Sequence, residues 1–441
     1  MPFPKWSYAL LIPLACITNV SAEDGLAPTR PEMKKRIEAL KERTSRLALP
    51  APTPQELASG RSLVNNGRLR SIYLPSSWQS FVITGWGGGS TRPPAGGTAN
   101  LLKTMEADPS YAFKTRLFWI VSRANDCRYC LGHQELKLKR VGMTDDQIAS
   151  LDSRWESFPA KEQAAIKATR KLTVTPYLFG EKDIAELKQH FSDAEVIDII
   201  YTVSRYNAVN RWTSATGIPQ DQKFGGEAHS ELDTPTSPEF ASVPSIVIPA
   251  EAKPRQPWES RDDVLAALKQ AHNRTPVVSL PTMDSARNIL AKDCPGATPP
   301  VWFQAMSGQS IALDAWGQRQ AMAREGKTPI DLRILITWVT ARENRAWYAA
   351  GHARARYLAS GGDESLLYSL ADIEKGTTPA KAEALRFAQK LTSLPHQIND
   401  ADVTRLKEFF TDFEVAEIIQ LTGDSNAFDR FTEALRLPLE F

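Results

Sequence analysis

The feature of the sequence that most constrains the fold is an internal duplication. Phe191-Ser-Asp-Ala-Glu-Val-Ile-Asp-Ile-Ile200 recurs 219 residues later as Phe410-Thr-Asp-Phe-Glu-Val-Ala-Glu-Ile-Ile419. Over residues 119–219, about three positions in ten are identical at this offset without a gap. The identical pairs include Trp119 and Trp338, Arg123 and Arg342, Asn125 and Asn344, Tyr129 and Tyr348, His133 and His352, Asn207 and Asn426, and Arg211 and Arg430. Such self-similarity predicts two copies of one folded unit.

The duplication divides the chain into two halves of domain size. We assign residues 23–222 to the first copy and residues 259–441 to the second, each long enough for a hydrophobic core. Residues 223–258 are rich in Pro, Ser and Glu and have no helical period, which predicts a linker or a strap over the surface. Because 42% of the chain is hydrophobic and 24% is charged, both copies are expected to be ordinary globular units.

Residues 1–22 have the pattern of a secretory signal peptide. Lys5 precedes a short apolar run, and Val20-Ser-Ala22 is a small-residue cleavage signal. The run is too short for a transmembrane helix, and no later segment approaches the ~20 apolar residues that one needs. An uncleaved anchor is the alternative. A lipoprotein cut before Cys16 is disfavoured because Pro13 stands where such signals have Leu. We therefore expect a periplasmic or secreted protein.

Charge and cysteine content exclude two classes of protein. With 53 Lys and Arg against 51 Asp and Glu, the net charge of +2 gives no electrostatic case for a nucleic-acid partner. Four cysteines in 441 residues do not make a disulfide-dense scaffold. Removal of residues 1–22 leaves Cys127, Cys130 and Cys294 in an oxidising compartment. An odd count leaves at least one free or intermolecular thiol.

Helix-start signals and apolar spacing predict an all-α fold. Ser192-Asp-Ala-Glu195 and Thr411-Asp-Phe-Glu414 are capping boxes at matched positions, and Thr144-Asp-Asp-Gln147 is a third. Apolar residues then recur with helical spacing, and the alternation of β-hairpins is absent from the sequence. Three further segments have helical patterns: residues 111–122, 161–172 and 183–190. Residues 85–97, rich in Gly and Pro, predict a loop in the first copy only.

The segment Cys127-Arg-Tyr-Cys130-Leu-Gly-His133 is the one stretch with the composition of a reactive site. Asn125 and Asp126 before it are good N-cap residues, which predicts that both cysteines lie in the first turn of a helix. There the helix dipole favours a thiolate, and Arg123 and Arg128 add positive charge. The two cysteines and the histidine step by about −60° each and share one helix face. Two thiols and an imidazole are the components of a dithiol redox site.

Other roles of the cysteine pair stay open at this point. A structural disulfide between Cys127 and Cys130 suits an exported protein. A zinc site needs four ligands, and the sequence has no second Cys/His cluster. Covalent haem needs His directly after the second cysteine, where Leu131 stands. We therefore predict no metal and no organic cofactor.

The first copy resembles a known family. Its motif Cys-x-Tyr-Cys-x-x-His is followed by Phe191-Ser-Asp-Ala-Glu195, Tyr206-Asn-Ala-Val-Asn-Arg211 and Gly217-Ile-Pro219. This series resembles the carboxymuconolactone decarboxylase family, and within it the AhpD-like alkylhydroperoxidase branch. The likeness covers about residues 75–220, and the second copy resembles the branch by pattern but lacks the cysteines. The resemblance implies an all-α domain that usually oligomerises and has peroxiredoxin-type activity.

Site residues are carried over from the resemblance by position. It implies that Cys130 attacks the peroxide and that Cys127 resolves the product as a disulfide. The branch relays protons through a Glu about twelve residues before the first Cys and a His four residues after the second. Those positions are Thr115 and Gln134 here, and His133 lies one residue earlier. Cys127, Cys130 and His133 are therefore the candidate catalytic residues. Lactone decarboxylation is not expected, because the family's decarboxylases lack this cysteine pair.

Comparison with the second copy helps to distinguish structural residues from reactive ones. That copy has Ala346 and Ala349 at the cysteine positions, so residues that both copies share are expected to be structural. On this basis Asn207 and Arg211 are predicted to be helix-packing residues. For His133 a proton relay and a buried structural histidine both stay open. Cys294 has no counterpart in the first copy and is predicted to be an inert buried thiol.

The sequence thus predicts an exported protein of two tandem AhpD-like helical domains that form an internal pseudo-dimer. The Cys127/Cys130 dithiol is expected to reduce a peroxide, or to exchange with a disulfide, and to be recharged by a thiol electron donor. Further homo-oligomerisation is compatible with the family likeness. The alternative is a non-enzymatic binding or scaffold protein with a structural Cys127–Cys130 disulfide.

Overall fold

A computed structural model of the chain describes residues 26–58, 64–78, 109–221, 223–224, 227–228, 236–249 and 257–441. The signal peptide predicted at residues 1–22 and the loop predicted at residues 85–97 lie outside the described residues.

Helices dominate the described part of the first copy. They are α1 (Arg30–Ala39), α2 (Pro54–Ala58), α3 (Asn65–Tyr73), α4 (Pro109–Ala124), α5 (Arg128–Arg140), α6 (Asp145–Ser153), α7 (Ala160–Val174), α8 (Glu181–Lys188) and α9 (Asp193–Thr216). Single 3₁₀ turns cover Leu40–Glu42, Trp155–Ser157 and Pro176–Leu178. A pair of two-residue antiparallel strands, β1 (Lys223–Phe224) and β2 (Glu227–Ala228), and the short helix α10 (Pro238–Ala241) follow.

The second copy has ten described helices, and the last six follow the order of α4 to α9. Its helices are α11 (Arg261–His272), α12 (Met283–Leu290), α13 (Val301–Met306), α14 (Ala312–Arg324), α15 (Ile330–Asn344), α16 (Trp347–Ala359), α17 (Glu364–Ser369), α18 (Pro379–Ser393), α19 (Asp400–Lys407) and α20 (Asp412–Ala434). A 3₁₀ turn covers Pro395–Gln397. The predicted all-α class is confirmed: within the described ranges, the β-structure amounts to β1, β2 and an isolated bridge between Thr29 and Pro244.

The three predicted capping boxes are confirmed. Ser192 caps α9, Thr411 caps α20 and Thr144 caps α6, each with reciprocal bonds to the Glu or Gln three residues later. The helix predicted to begin at Asp183 begins at Glu181 instead. The reason is that the Asp183 carboxylate accepts the Gly180 N–H at 2.8 Å, so Asp183 is the third helical residue.

Residues 236–249, in the segment between the copies, lie against the first copy. Ser245 N donates to Pro28 O at 2.8 Å, and Ile246 N donates to Asp152 O at 2.9 Å. Val247 is fully buried in an apolar cluster with side chains of α1, α4 and α6. These contacts hold residues 245–247 on the surface of the first copy.

The long helices α9 and α20 pack against each other, and equivalent residues make equivalent bonds between them. Arg211 Nη2 donates to Thr392 O at 2.7 Å, and Arg430 Nη2 donates to Thr173 O at 3.2 Å. Each donor and each acceptor is 219 residues from its counterpart. One cluster of buried apolar side chains includes residues of both copies, so the core is shared.

Candidate functional site

The two cysteines lie where a tight turn enters α5. Cys127 is the N-cap residue of the helix, and Cys130 lies in its first turn, as predicted. The prediction that Asn125 and Asp126 supply the cap is wrong. Asp126 instead has φ 47°, a left-handed conformation that Asp tolerates better than most residues, and it forms the turn directly before the N-cap residue Cys127.

The second copy builds the same turn without sulfur. Arg345, the counterpart of Asp126, has φ 51°, and Ala346 is the N-cap of α16. The backbone angles of Ala346 (φ −91°, ψ 87°) match those of Cys127 (φ −80°, ψ 89°). The turn therefore forms without cysteine, and its backbone conformation does not depend on the two thiols.

Both thiols contact one hydroxyl that the sequence did not single out. Cys127 Sγ lies 3.0 Å from Thr213 Oγ1, and Cys130 Sγ lies 3.3 Å from the same atom. Thr213 is on α9, and it is identical to Thr432 of the thiol-free copy, so the duplication carries no signal for its role. No disulfide joins the two cysteines in this structure, and 1% and 3% of their surfaces are exposed. The site is a buried dithiol around one hydroxyl.

The pKa values of the two thiols move in opposite directions. Burial raises the pKa of Cys127, but hydrogen bonds with the side chains of Cys130 and Thr213 and with the backbone of Cys130 outweigh burial and lower it. For Cys130, burial, the hydrogen bond to Cys127 and the charge of Cys127 together raise the pKa well above its ordinary value. Cys127 is therefore the thiol that ionises first.

Arg123 and Arg128, which were expected to add positive charge near the thiols, pair with carboxylates instead. Arg123 is fully buried, and its Nε donates to Asp152 Oδ1 at 3.0 Å, so a carboxylate compensates its charge. Arg128 Nε lies 3.5 Å from Asp126 Oδ2. Both arginines therefore stabilise the turn and its surroundings, and the prediction that they serve the thiols is not supported by these contacts.

Two other cations interact electrostatically with Cys130. They are Arg70 on α3 and Lys137 on α5, two helical turns beyond Cys130. Burial lowers the pKa of Arg70 to about 9 and that of Lys137 well below its ordinary value, while the interaction with Cys130 raises both. The i,i+7 spacing from Cys130 was a sequence signal for Lys137, whereas Arg70 had none.

His133 belongs to a cluster of Tyr129, His133 and Asp221, which we call the Tyr–His–acid cluster. His133 Nε2 lies 3.0 Å from Asp221 Oδ2, and Tyr129 Oη donates to the same oxygen at 2.6 Å. The other carboxylate oxygen accepts the N–H of Asn65, the first residue of α3, at 2.7 Å. The cluster thus fastens the start of α3 to α5.

The second copy has the same cluster. Tyr348 Oη donates to Glu440 Oε1 at 2.6 Å, and His352 Nε2 lies 3.0 Å from Glu440 Oε2. Glu440 also accepts the N–H of Val301, the first residue of α13, at 2.6 Å. Because the cluster performs this helix attachment without thiols, the contacts of His133 favour the structural role over the relay.

Asn207 and Arg211 hold the cysteine turn to α9 and to the other copy. Asn125 Nδ2 donates to Asn207 Oδ1 at 3.1 Å, and Arg211 Nη1 donates to the same oxygen at 3.1 Å. Asn344, Asn426 and Arg430 repeat both bonds in the second copy. These contacts agree with the packing role predicted for the pair.

The two relay positions of the family likeness make local bonds instead. Thr115 Oγ1 donates to Tyr111 O at 2.7 Å, and Gln134 Nε2 donates to Cys130 O at 3.2 Å. The acid next in sequence, Glu135, accepts bonds from Arg30 and from Trp119. Its carboxylate is therefore committed to an ion pair at the opposite side of α5.

Cys294, half-buried, follows α12 in the second copy, where its N–H donates to Leu290 O at 2.9 Å.

In the part of the chain that the structure describes, no helix has both the length and the apolar character needed to cross a membrane. No family model matches the sequence, and no curated protein is significantly similar to it.

Proposed function

We propose that the protein is a dithiol oxidoreductase that reduces small peroxides through Cys127 and Cys130. One observation carries the proposal: two thiols at the start of a helix share the Thr213 hydroxyl, and the pKa of one of them is lowered. A lowered thiol pKa at a helix start is the arrangement that generates a nucleophilic thiolate.

The reaction proceeds in two steps. The Cys127 thiolate attacks the distal oxygen of the peroxide, the O–O bond breaks, and the leaving alkoxide or hydroxide takes up a proton; Cys127 becomes a sulfenic acid. The Cys130 sulfur then displaces water from that sulfenic acid and forms the disulfide. Two thiols and one peroxide thus give a disulfide, an alcohol or water, and one water. A dithiol donor restores both thiols by exchange.

This assignment of roles is the reverse of the one that the resemblance implies. The likeness gives the attack to Cys130, whereas the pKa directions give the thiolate to Cys127. We follow the pKa directions because they arise from contacts of this chain. Thr213 acts as a positioning residue that stabilises the thiolate, and His133 supports the fold near the site through Asp221.

Burial limits what can react. Because only 1% and 3% of the two cysteine residues is exposed, we expect hydrogen peroxide or a short alkyl peroxide to reach the sulfurs more readily than a bulky substrate. Exchange with a protein disulfide requires the helices to separate, which makes peroxide reduction the better-supported half of the prediction. The same burial favours the second candidate, a scaffold protein with a structural disulfide, and redox potential distinguishes the two.

We further propose that the two copies are tandem AhpD-like domains arranged as an internal pseudo-dimer in an exported protein. The reciprocal Arg211–Thr392 and Arg430–Thr173 bonds and the shared apolar core support the arrangement. Export depends on the signal pattern of residues 1–22 alone.

The test is peroxide consumption by the reduced protein with a small dithiol as donor. We expect the rate to rise with pH as Cys127 ionises and to level off below the ordinary thiol pKa. Cys127→Ser should abolish turnover. Cys130→Ser should accumulate a sulfenic acid on Cys127 that a dimedone-type probe traps. Trapping on Cys130 in the Cys127→Ser variant would restore the roles that the resemblance implies.

A redox titration decides between enzyme and scaffold. A working dithiol should equilibrate with glutathione buffers, whereas a structural disulfide has a potential below about −300 mV and stays oxidised. Peptide mapping should show the Cys127–Cys130 bridge with Cys294 apart. A dominant bridge to Cys294 would end the dithiol proposal.

A further inference from the structure

The second copy contains a cavity of about 90 Å³ that is separate from the cysteine pair. It lies between α9 of the first copy and helices α13, α14, α15, α16 and α20 of the second. Its apolar wall is aromatic and thioether-rich, and includes Tyr201, Trp302, Met322, Phe428 and Phe431.

Two positions that carry aromatic rings in the first copy carry small side chains at the cavity of the second. In the first copy Phe118 and Tyr206 stack with ring centroids 3.8 Å apart and an interplanar angle of 1°. Their counterparts 219 residues later are Thr337 and Ser425, and both line the cavity. Two rings that fill this place in one copy are thus replaced by two small hydroxyl side chains in the other.

Three arginines also line the cavity: Arg319, Arg333 and Arg356. A fourth, Arg205, has Asp424 as a partner at 3.9 Å. Among the described residues, Arg319 and Arg356 have no carboxylate within ion-pair distance and donate no hydrogen bond to a protein acceptor. The guanidinium of Arg319 lies 3.5 Å from the ring centroid of Phe428. The cavity therefore has an excess of positive charge.

The arginine charges are also crowded, and the nearby Asp424 and Asp429 compensate them only in part. Burial and the nearby Arg356 lower the pKa of Arg319 to about 10, and burial and Arg333 lower the pKa of Arg356. Arg333 is 4% exposed; it donates to Met322 O at 2.9 Å, while its buried Nε–H has no acceptor in the described structure. Arg319 and Arg356 are half-buried. Like charges that lie close together repel one another, and an anion among them reduces that repulsion.

We propose that this cavity binds a small organic anion, a carboxylate attached to a compact apolar group. The planar guanidinium forks suit a carboxylate, and the aromatic and thioether wall suits an apolar body. An inorganic anion would match the arginines but leave the apolar wall against water. Since about 150 Å³ holds benzene, a cavity of about 90 Å³ suits a chain of roughly three to five carbons.

The first test uses the full wild-type chain and calorimetric titration with butyrate, its neutral isostere butyramide, and sulfate. We expect butyrate to bind at least tenfold more tightly than either of the others. Equal binding of butyramide would refute the role of the arginines. Equal binding of sulfate would refute the role of the apolar wall. Absence of butyrate binding at millimolar concentration would overturn the proposal as a whole.

The second test fills the cavity by placing the aromatic residues of the first copy at the equivalent positions of the second. Thr337→Phe with Ser425→Tyr should reduce butyrate affinity at least tenfold while the far-UV circular dichroism stays that of the wild type. Arg356→Gln should do the same by removing charge. Arg354→Gln is the matched control, because Arg354 lies on the same helix but pairs with Glu364 at the surface. An equal loss in Arg354→Gln, or none in the other variants, would contradict the site.

The proposal is independent of the thiol chemistry. Butyrate affinity should be unchanged in a Cys127→Ser/Cys130→Ser variant of the full chain. A loss of affinity in that variant would show that the two sites are one, and the separate-site inference would fail even if peroxide reduction stood.

Discussion

The two copies build the same turn before the same helix, but only the first places sulfur on it. Asp126 and Arg345 share the left-handed conformation, and Asp221 and Glu440 hold equivalent Tyr–His pairs. The first copy fills its interior with stacked rings where the second leaves a cavity lined with arginines. The residues of the shared turn and of the Tyr–His pairs persist in both copies, whereas the two cysteines do not. Thr213, which contacts both thiols, also persists as Thr432, so identity between the copies does not exclude a role at the site.

The strongest way to break the comparison is to separate the copies. We expect residues 1–225 alone to aggregate or to form homodimers, because the apolar core is shared with the second copy. The full chain should need no second molecule for that interface. Light scattering and thermal melting decide the matter. A soluble monomer as stable as the full chain would show that the copies fold independently.

The reciprocal arginines should contribute equally. Arg211→Met and Arg430→Met each remove a buried charged donor from a carbonyl of the other copy, at about 1.5–3 kcal/mol for such a bond. Chemical denaturation measures both losses in unfolding free energy. Arg287→Met, on an exposed pair, is the control and should change stability by less than about 0.5 kcal/mol. Losses that differ strongly between the two arginines would show that their surroundings are not equivalent.

The histidines sharpen the comparison further. His133→Asn and His352→Asn should each cost about 1 kcal/mol of stability, because each removes one contact of a Tyr–His–acid cluster. Loss of a general acid or base lowers turnover by roughly 10²–10⁴-fold. Because we assign both histidines a structural role, peroxide turnover should fall by less than about tenfold in either variant. A hundredfold loss confined to His133→Asn, with equal stability losses, would restore the relay role of His133.

The smallest effect on stability is expected when the two cysteines are introduced into the second copy. Ala346→Cys with Ala349→Cys should form a disulfide on oxidation, because the backbone angles at Ala346 match those at Cys127. Thiol counting before and after oxidation measures it, and the reduced variant should melt within a few degrees of the wild type. Two thiols that stay free under oxidising conditions would show that the turns differ in a way their angles do not record.

The sequence predicted the helices well because helix starts depend on residues that are close together in the chain. Capping boxes such as Ser192–Glu195 and Thr411–Glu414 require only side chains three residues apart, and both formed as expected. The cap before Cys127 was mispredicted because the left-handed residue Asp126 takes part in a turn that local preference does not specify.

The site was only half predictable. Cys127, Cys130 and Lys137 lie on one helix, so their proximity follows from helical spacing. Thr213 on α9 contacts both thiols, and Arg70 on α3 interacts electrostatically with Cys130. No sequence periodicity connects either residue with the cysteines. The cavity was invisible for the same reason, since it depends on two substitutions, at Thr337 and Ser425, whose meaning emerges only when the helices are packed.

The depth of the two sulfurs makes them reporters of motion in the native protein. A thiol reagent too large for the interior can react only during the moments when α5 and α9 move apart. If closing is faster than modification, the labelling rate equals the intrinsic reaction rate multiplied by the fraction of molecules that are open. Labelling with reagents of graded size would therefore yield both the free energy and the width of that opening, as amide exchange does for a backbone N–H.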